Sequence, residues 1–143
     1  MILSQDRYQL RKLFIDSWDK FVNNKPLTAL EEQIARIIEL HPEYHKQITL
    51  DNIDKDYSPE IGQINPFLHI SLHLAIIEQI QINRPFGITN VYQQLLNKYN
   101  NDKHKVHHIM IDYLAEEMWK SQKYNTLLDE QNYLTKLQEL ALI

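Results

Sequence analysis

Four of the seven histidines in this sequence form two pairs whose members stand four residues apart. The pairs are His69 with His73 and His104 with His108. On an α-helix, side chains four residues apart lie on one face, with about 5–6 Å between their Cβ atoms. This spacing lets two imidazoles bind the same metal ion, so each pair predicts part of a metal site.

Two carboxylates continue the second pair along the same predicted helix. Asp112 and Glu116 follow His108 at successive steps of four residues. Because each step turns by about 40°, the three side chains form a slanted row. Two facing helices that present such groups form a nitrogen and oxygen site suited to Zn, Fe or Mn. The predicted metal ligands are His69, His73, His108, Asp112, His104 and Glu116.

The same residues also fit a purely structural interpretation. Buried imidazoles must find hydrogen-bond partners whether or not a metal is bound, and Asp112, Glu116 or Tyr113 would provide them. The sequence contains no HExxH motif or comparable catalytic signature. A buried polar network is therefore the alternative to a metal site. His107 lies off the face of its two neighbouring histidines, and we expect it to be exposed.

The segment HPEYH holds a further group of candidate ligands. His41, Glu43 and His45 are spaced two residues apart around Pro42. The residue before a proline is biased away from the helical region, so Pro42 marks the boundary of the preceding helix. We favour a helix-end cap followed by a surface turn over a second metal site.

The first histidine pair lies in the longest apolar run of the chain, from Asn65 to Pro85. Asn65 is a good N-cap, and Pro66 suits the first helical position because its missing N–H costs nothing there. Apolar side chains cover most of the circumference of the predicted helix, residues 66–82. This is typical of a helix buried in the middle of an all-helical domain.

Helical periodicity and capping residues predict five other helices. Thr28 and Glu31 have the spacing of a capping box, and Thr89 and Asp129 are the expected caps of two later helices. The irregular stretch 49–64 is predicted to be a surface loop. We predict an all-α, single-domain, compact bundle of about six helices around a buried central helix (66–82), covering residues 1–143. The other helices are expected at about 4–22, 28–40, 89–99, 101–122 and 129–142.

Composition excludes several classes of function. The net charge of −4 gives no basic surface for nucleic acid. The absence of cysteine excludes disulfides, thiol nucleophiles and thiolate metal sites. The apolar run is too short and too polar to cross a membrane, and no nucleotide or flavin signature is present. The first residues lack a signal-peptide profile, so we expect a cytoplasmic protein.

Long stretches of the chain resemble a bacterial family known as domain of unknown function 1841. They include HPEYH, GQINPFLHISLHLAIIEQIQINRPFGI and LAEEMW, together with DRYQLRKLFIDSW, PLTALEEQIARII and NYL. The resemblance implies a small, soluble, single-domain bacterial protein and no particular activity. The chain departs from the family pattern at two places where glutamate is expected, His107 and Asp112. The histidines that match the pattern are His41, His45, His69, His73, His104 and His108.

Two functional hypotheses follow. In the first, the chain is a metal-binding helical protein with His69, His73 and His108 as ligands. Asp112 or Glu116 would complete the coordination or act as general base. In the second, the histidines form a polar network and the chain binds another protein or a second copy of itself. The contact elements would then be the acidic loop 51–60 and the turn 84–87. Neither hypothesis assigns a reaction, so enzymatic activity stays open.

Overall fold

The computed structural model describes residues 2–58 and 63–143, and for residues 2–5 the backbone alone. It confirms the all-α prediction, because the described residues contain six α-helices and two short 3-10 helices and no strand. The α-helices are α1 (Ile2–Val22), α2 (Ala29–Glu39), α3 (Pro66–Ile82), α4 (Ile88–Lys98), α5 (Lys103–Tyr124) and α6 (Glu130–Leu142). The 3-10 helices are Pro42–Tyr44 and Leu50–Asn52.

Contacts between Cα atoms divide the chain into two units, residues 1–71 and 72–143, and the division falls inside α3. In the first unit, α1 packs against α2. Phe14 of α1 and Ile34 and Ile38 of α2 have no exposed surface. The apolar stripes of these two helices therefore form the core of this unit, and the prediction of a single domain stays a prediction.

A buried arginine attaches the segment after the second 3-10 helix to α1. Arg11 is 3% exposed and donates hydrogen bonds to the carbonyls of Ile53 at 3.0 Å and Lys55 at 2.7 Å. Its guanidinium lies 4.7 Å from the ring centre of Phe67 in α3. The predicted loop 49–64 thus contains a fixed helical turn, while its residues 59–62 lie outside the described residues.

In the second unit, α4, α5 and α6 pack against one another. Ile76, Leu95, Met110 and Leu137 are among the fully buried members of its core. The buried carboxylate of Glu117 also accepts a hydrogen bond of 2.6 Å from the amide of Asn132, which connects α5 to α6. No helix in the described ranges combines the length and the apolar character needed to span a membrane.

Local capping residues fix where most helices begin. Thr28 and Glu31 form the predicted capping box at α2, and the backbone N–H of Leu68 donates to the Asn65 side chain at 3.1 Å. Asp102 and Asp129 cap α5 and α6 in the same way. Each of these bonds satisfies a backbone N–H that has no partner inside the helix.

The predicted cap at Thr89 is wrong. Helix α4 begins at Ile88, and Gly87, at φ 101°, is its N-cap residue. The Asn83 side chain accepts hydrogen bonds from the N–H groups of both Gly87 and Thr89 at 3.1 Å. The Thr89 hydroxyl instead donates to the carbonyl of Ile80 at 2.7 Å. A carboxamide several residues upstream therefore has the role that the sequence assigned to the threonine.

The Thr28→Ala substitution should lower the free energy of unfolding by about 1 kcal/mol, since it removes the side-chain oxygen of the α2 capping box. Chemical denaturation followed by circular dichroism measures the change. Thr126→Ala is the matched control, because Thr126 is exposed and caps no helix, and it should stay within about 0.5 kcal/mol of wild type. Equal stability of the two variants would contradict the importance of the cap.

Candidate metal centre

The site is built on α3, which carries His69 and His73 one helical turn apart. Asn65 caps this helix and Pro66 begins it, so its first turns have a fixed backbone. His73 is 2% exposed and His69 is partly buried. Each of these two rings meets a histidine from a different part of the chain.

His69 lies against His41, which follows α2. The ring centres are 4.6 Å apart and the planes meet edge to face at 79°. His41 is 4% exposed, and Tyr44 stacks on it at 5.2 Å. The backbone N–H of His41 donates to the carbonyl of Ile38 at 2.9 Å, which holds the ring at the end of α2.

The other polar residues of HPEYH hold this turn in place. His41 Nδ1 lies 2.9 Å from Oε1 of Glu43, and His45 Nε2 lies 2.8 Å from the carbonyl oxygen of Ile38. A carbonyl only accepts, so the Nε2 of His45 carries the hydrogen. The predicted helix-end cap is therefore present at His45. His41, which was not among the predicted metal ligands, instead contacts His69.

His73 meets His108 of α5. Their Nε2 atoms are 3.1 Å apart, a distance that fits an N–H···N hydrogen bond in which one ring donates and the other accepts. His104 stacks on His73 at 5.6 Å between ring centres and meets His108 edge to face at 4.1 Å. His73 of the first predicted pair thus contacts both members of the second pair.

One ring nitrogen from each of four histidines lies within 4.8 Å of the other three. The four are His41, His69, His73 and His108. Nitrogen ligands at about 2.0–2.1 Å from a tetrahedral zinc ion lie about 3.3–3.4 Å apart, so the widest separation would have to shorten by roughly 1.5 Å. The four histidines are therefore close enough to hold a metal ion after a small movement of their rings.

The predicted carboxylate ligands lie elsewhere. Asp112 and Glu116 are exposed and line a surface pocket beside Tyr113. Glu116 forms ion pairs with Lys120 at 3.6 Å and Lys136 at 3.5 Å. The turn of about 40° at each four-residue step carries these groups away from the face of His108. Neither belongs to the group of four nitrogens, and His104 lies beside the group without supplying one of them.

The prediction that His107 is exposed is wrong. The ring is partly buried, with its centre 5.6 Å from Tyr92 of α4 and 6.2 Å from His73. Burial, followed by electrostatic repulsion from the neighbouring His104, His108 and Lys103 side chains, lowers the pKa of His107 to about 4. The surroundings of His107 therefore disfavour the protonated form of its ring.

Comparison with known proteins places the chain in a family. The family model described as Domain of unknown function (DUF1841) matches residues 6–139, nearly the whole chain. The chain belongs to this family. No curated protein and no solved structure matches it. Membership of DUF1841 agrees with the resemblance found in the sequence and assigns no activity.

In metal-free protein, the imidazole of His107 should titrate at a pKa of about 4 in a histidine NMR titration. Its pKa in an unfolded chain is about 6.5, so as the pH falls from 6.5 to 4 the unfolded chain takes up a proton that the folded chain does not. The free energy of unfolding should therefore fall over this window.

The His107→Gln variant should lose less stability than wild type over the same pH window. Chemical denaturation at several pH values, in the presence of a chelator, measures the difference. A pKa near 6.5 for His107, with parallel stability curves for the two proteins, would show that the ring is not desolvated as described.

Proposed function

We propose that this chain is a metal-binding helical protein in which His41, His69, His73 and His108 hold one divalent metal ion. The observation that carries the proposal is the proximity of four imidazole nitrogens. Two of these rings, His41 and His73, are at least 95% buried. Polar rings at such burial are held by specific partners, and a metal ion is a partner that the four nitrogens would share.

The ligand chemistry limits which metal ions suit the site. Four neutral imidazoles form an all-nitrogen set, which suits Zn, Fe, Cu or Ni and is a poor match for Mg, Ca or Mn. Among the metals expected from the sequence, Zn and Fe are therefore preferred over Mn. The Nε2 atoms of His73 and His108, at 3.1 Å, already have nearly the separation that two ligands of one such ion require.

The coordination number determines what the metal does. A tetrahedral zinc ion with four histidines would have no open position and would stabilise the fold. An iron ion prefers more ligands, and its remaining positions would be open to substrate. The number of water molecules on the bound metal therefore distinguishes a structural centre from a catalytic one.

The test is elemental analysis and calorimetry on tag-free protein purified without nickel or chelators. Wild type should contain near-stoichiometric Zn or Fe, and the apoprotein should take up added metal. A structural zinc site with four ligands is worth about 10–16 kcal/mol, roughly 3 kcal/mol per ligand. His41→Ala and His73→Ala should each weaken binding by about 100-fold or more.

The matched controls are Asp112→Asn and Glu116→Gln. These carboxylates are exposed, so both variants should bind metal as wild type does. Weaker binding in the controls would restore the mixed histidine and carboxylate site expected from the sequence. A folded wild type that neither contains nor takes up metal would overturn the proposal.

The second candidate function is an interaction module, and an apolar surface in the second unit favours it. Ile82 is 58% exposed, Phe86 88% and Leu127 93%. Ile82, Pro85 and Leu128 line one surface pocket around the turn 84–87. Exposed apolar patches mark contacts with partners. Under this function the Phe86→Ser variant should weaken self-association, measured by sedimentation, and the histidine variants should only lower stability.

A further inference from the structure

The buried ring of His41 is connected to a carboxylate at the surface. His41 is 4% exposed, its Nδ1 lies 2.9 Å from Glu43 Oε1, and the Glu43 side chain is 56% exposed. The contact therefore joins the buried imidazole of His41 to the solvent-exposed carboxylate of Glu43.

The hydrogen bond determines which nitrogen of His41 can bind a metal. An ionised carboxylate only accepts, so Nδ1 of a neutral His41 carries the hydrogen. Its Nε2 then carries no hydrogen, and its lone pair is the one that can bind a metal. Histidines that bind metals usually donate their other ring N–H to a carboxylate, a carbonyl or a water, which fixes the tautomer and raises the basicity of the ligand.

The backbone around the pair is already ordered. His41 precedes a 3-10 turn that begins at Pro42 and contains Glu43, and the N–H of Tyr44 donates to the carbonyl of His41 at 2.9 Å. His45 anchors the same turn to the Ile38 carbonyl. The contact between His41 and Glu43 is thus local and is held from both sides.

Charge adds a second reason for the carboxylate. The four histidines are neutral as ligands, so a divalent ion among them would bring two positive charges into a largely buried place. The Glu43 carboxylate is bonded directly to one of these four rings. The negative charge of Glu43, bonded to His41, would offset part of the free-energy cost of burying the ion.

We propose that Glu43 is a positioning residue for the metal centre, which orients His41 and holds the hydrogen on its Nδ1, so that Nε2 is the nitrogen that can bind the ion. This inference rests on the proposed function, because a positioning role requires that His41 is a ligand. Under this proposal the three residues of HPEYH have different roles. His41 binds the metal, Glu43 orients the His41 ring, and His45 anchors the turn to the Ile38 carbonyl.

The test compares Zn²⁺ affinity, by competition with a chelating dye, in wild type, Glu43→Ala and Glu43→Gln. Loss of the orienting partner should weaken binding about 10- to 100-fold in Glu43→Ala. Glu43→Gln keeps an oxygen acceptor and should recover part of the loss. Glu39→Ala is the control, since it removes an exposed carboxylate of the same charge that pairs with Arg36, and its affinity should equal that of wild type.

A second measurement on the same proteins reads the tautomer directly. Long-range nitrogen–proton NMR of metal-free protein should show hydrogen on Nδ1 of His41 in wild type and a mixture of tautomers in Glu43→Ala. A merely structural role of Glu43 would not change this signal.

The outcomes separate the inference from the function on which it rests. Wild type that binds no Zn²⁺ overturns both. Wild type that binds, together with Glu43→Ala of equal affinity and unchanged tautomer, overturns the positioning role alone. Weaker binding in Glu39→Ala by the same factor would also overturn it, because the effect would then be one of net charge.

Discussion

One turn of α3 separates His69 from His73, and the rest of the site depends on that spacing. Four residues of helix rise by about 6 Å and return to nearly the same face. Because the turn lies inside a continuous helix, neither ring can move far along the axis without breaking backbone hydrogen bonds. His41 contacts His69, and His108 contacts His73.

Burial makes partners obligatory for these rings, and the same geometry admits two solutions. Without a metal, His73 and His108 share a hydrogen between their Nε2 atoms. With a metal, both Nε2 atoms must offer a lone pair, so the shared hydrogen has to move to the other nitrogen of its ring. A polar network and a metal centre thus differ only in the positions of ring hydrogens and in small ring movements. The sequence is therefore compatible with both.

Local interactions were the most predictable part of the structure. The capping box of Thr28 and Glu31 and the cap at Asn65 involve residues three apart, so the sequence alone contains both partners. The prediction of a cap at Thr89 is wrong because the N–H groups of Gly87 and Thr89 donate to Asn83, across a turn whose path the sequence does not reveal. His107 was misjudged because Tyr92, on another helix, covers it.

The sequence by itself determined the helical class, the bounds of α3 and the pairing of histidines along each helix, because all of these follow from periodicity within one segment. Tertiary structure decided which histidines meet. It brought His41 to His69, since the direction of a chain after Pro42 depends on how the helix end packs. It also left Asp112 and Glu116 at the surface, because helical drift and core packing together choose which side of α5 faces inward. Spacing along a helix is a local property, whereas contact between segments is set by the packing of the core.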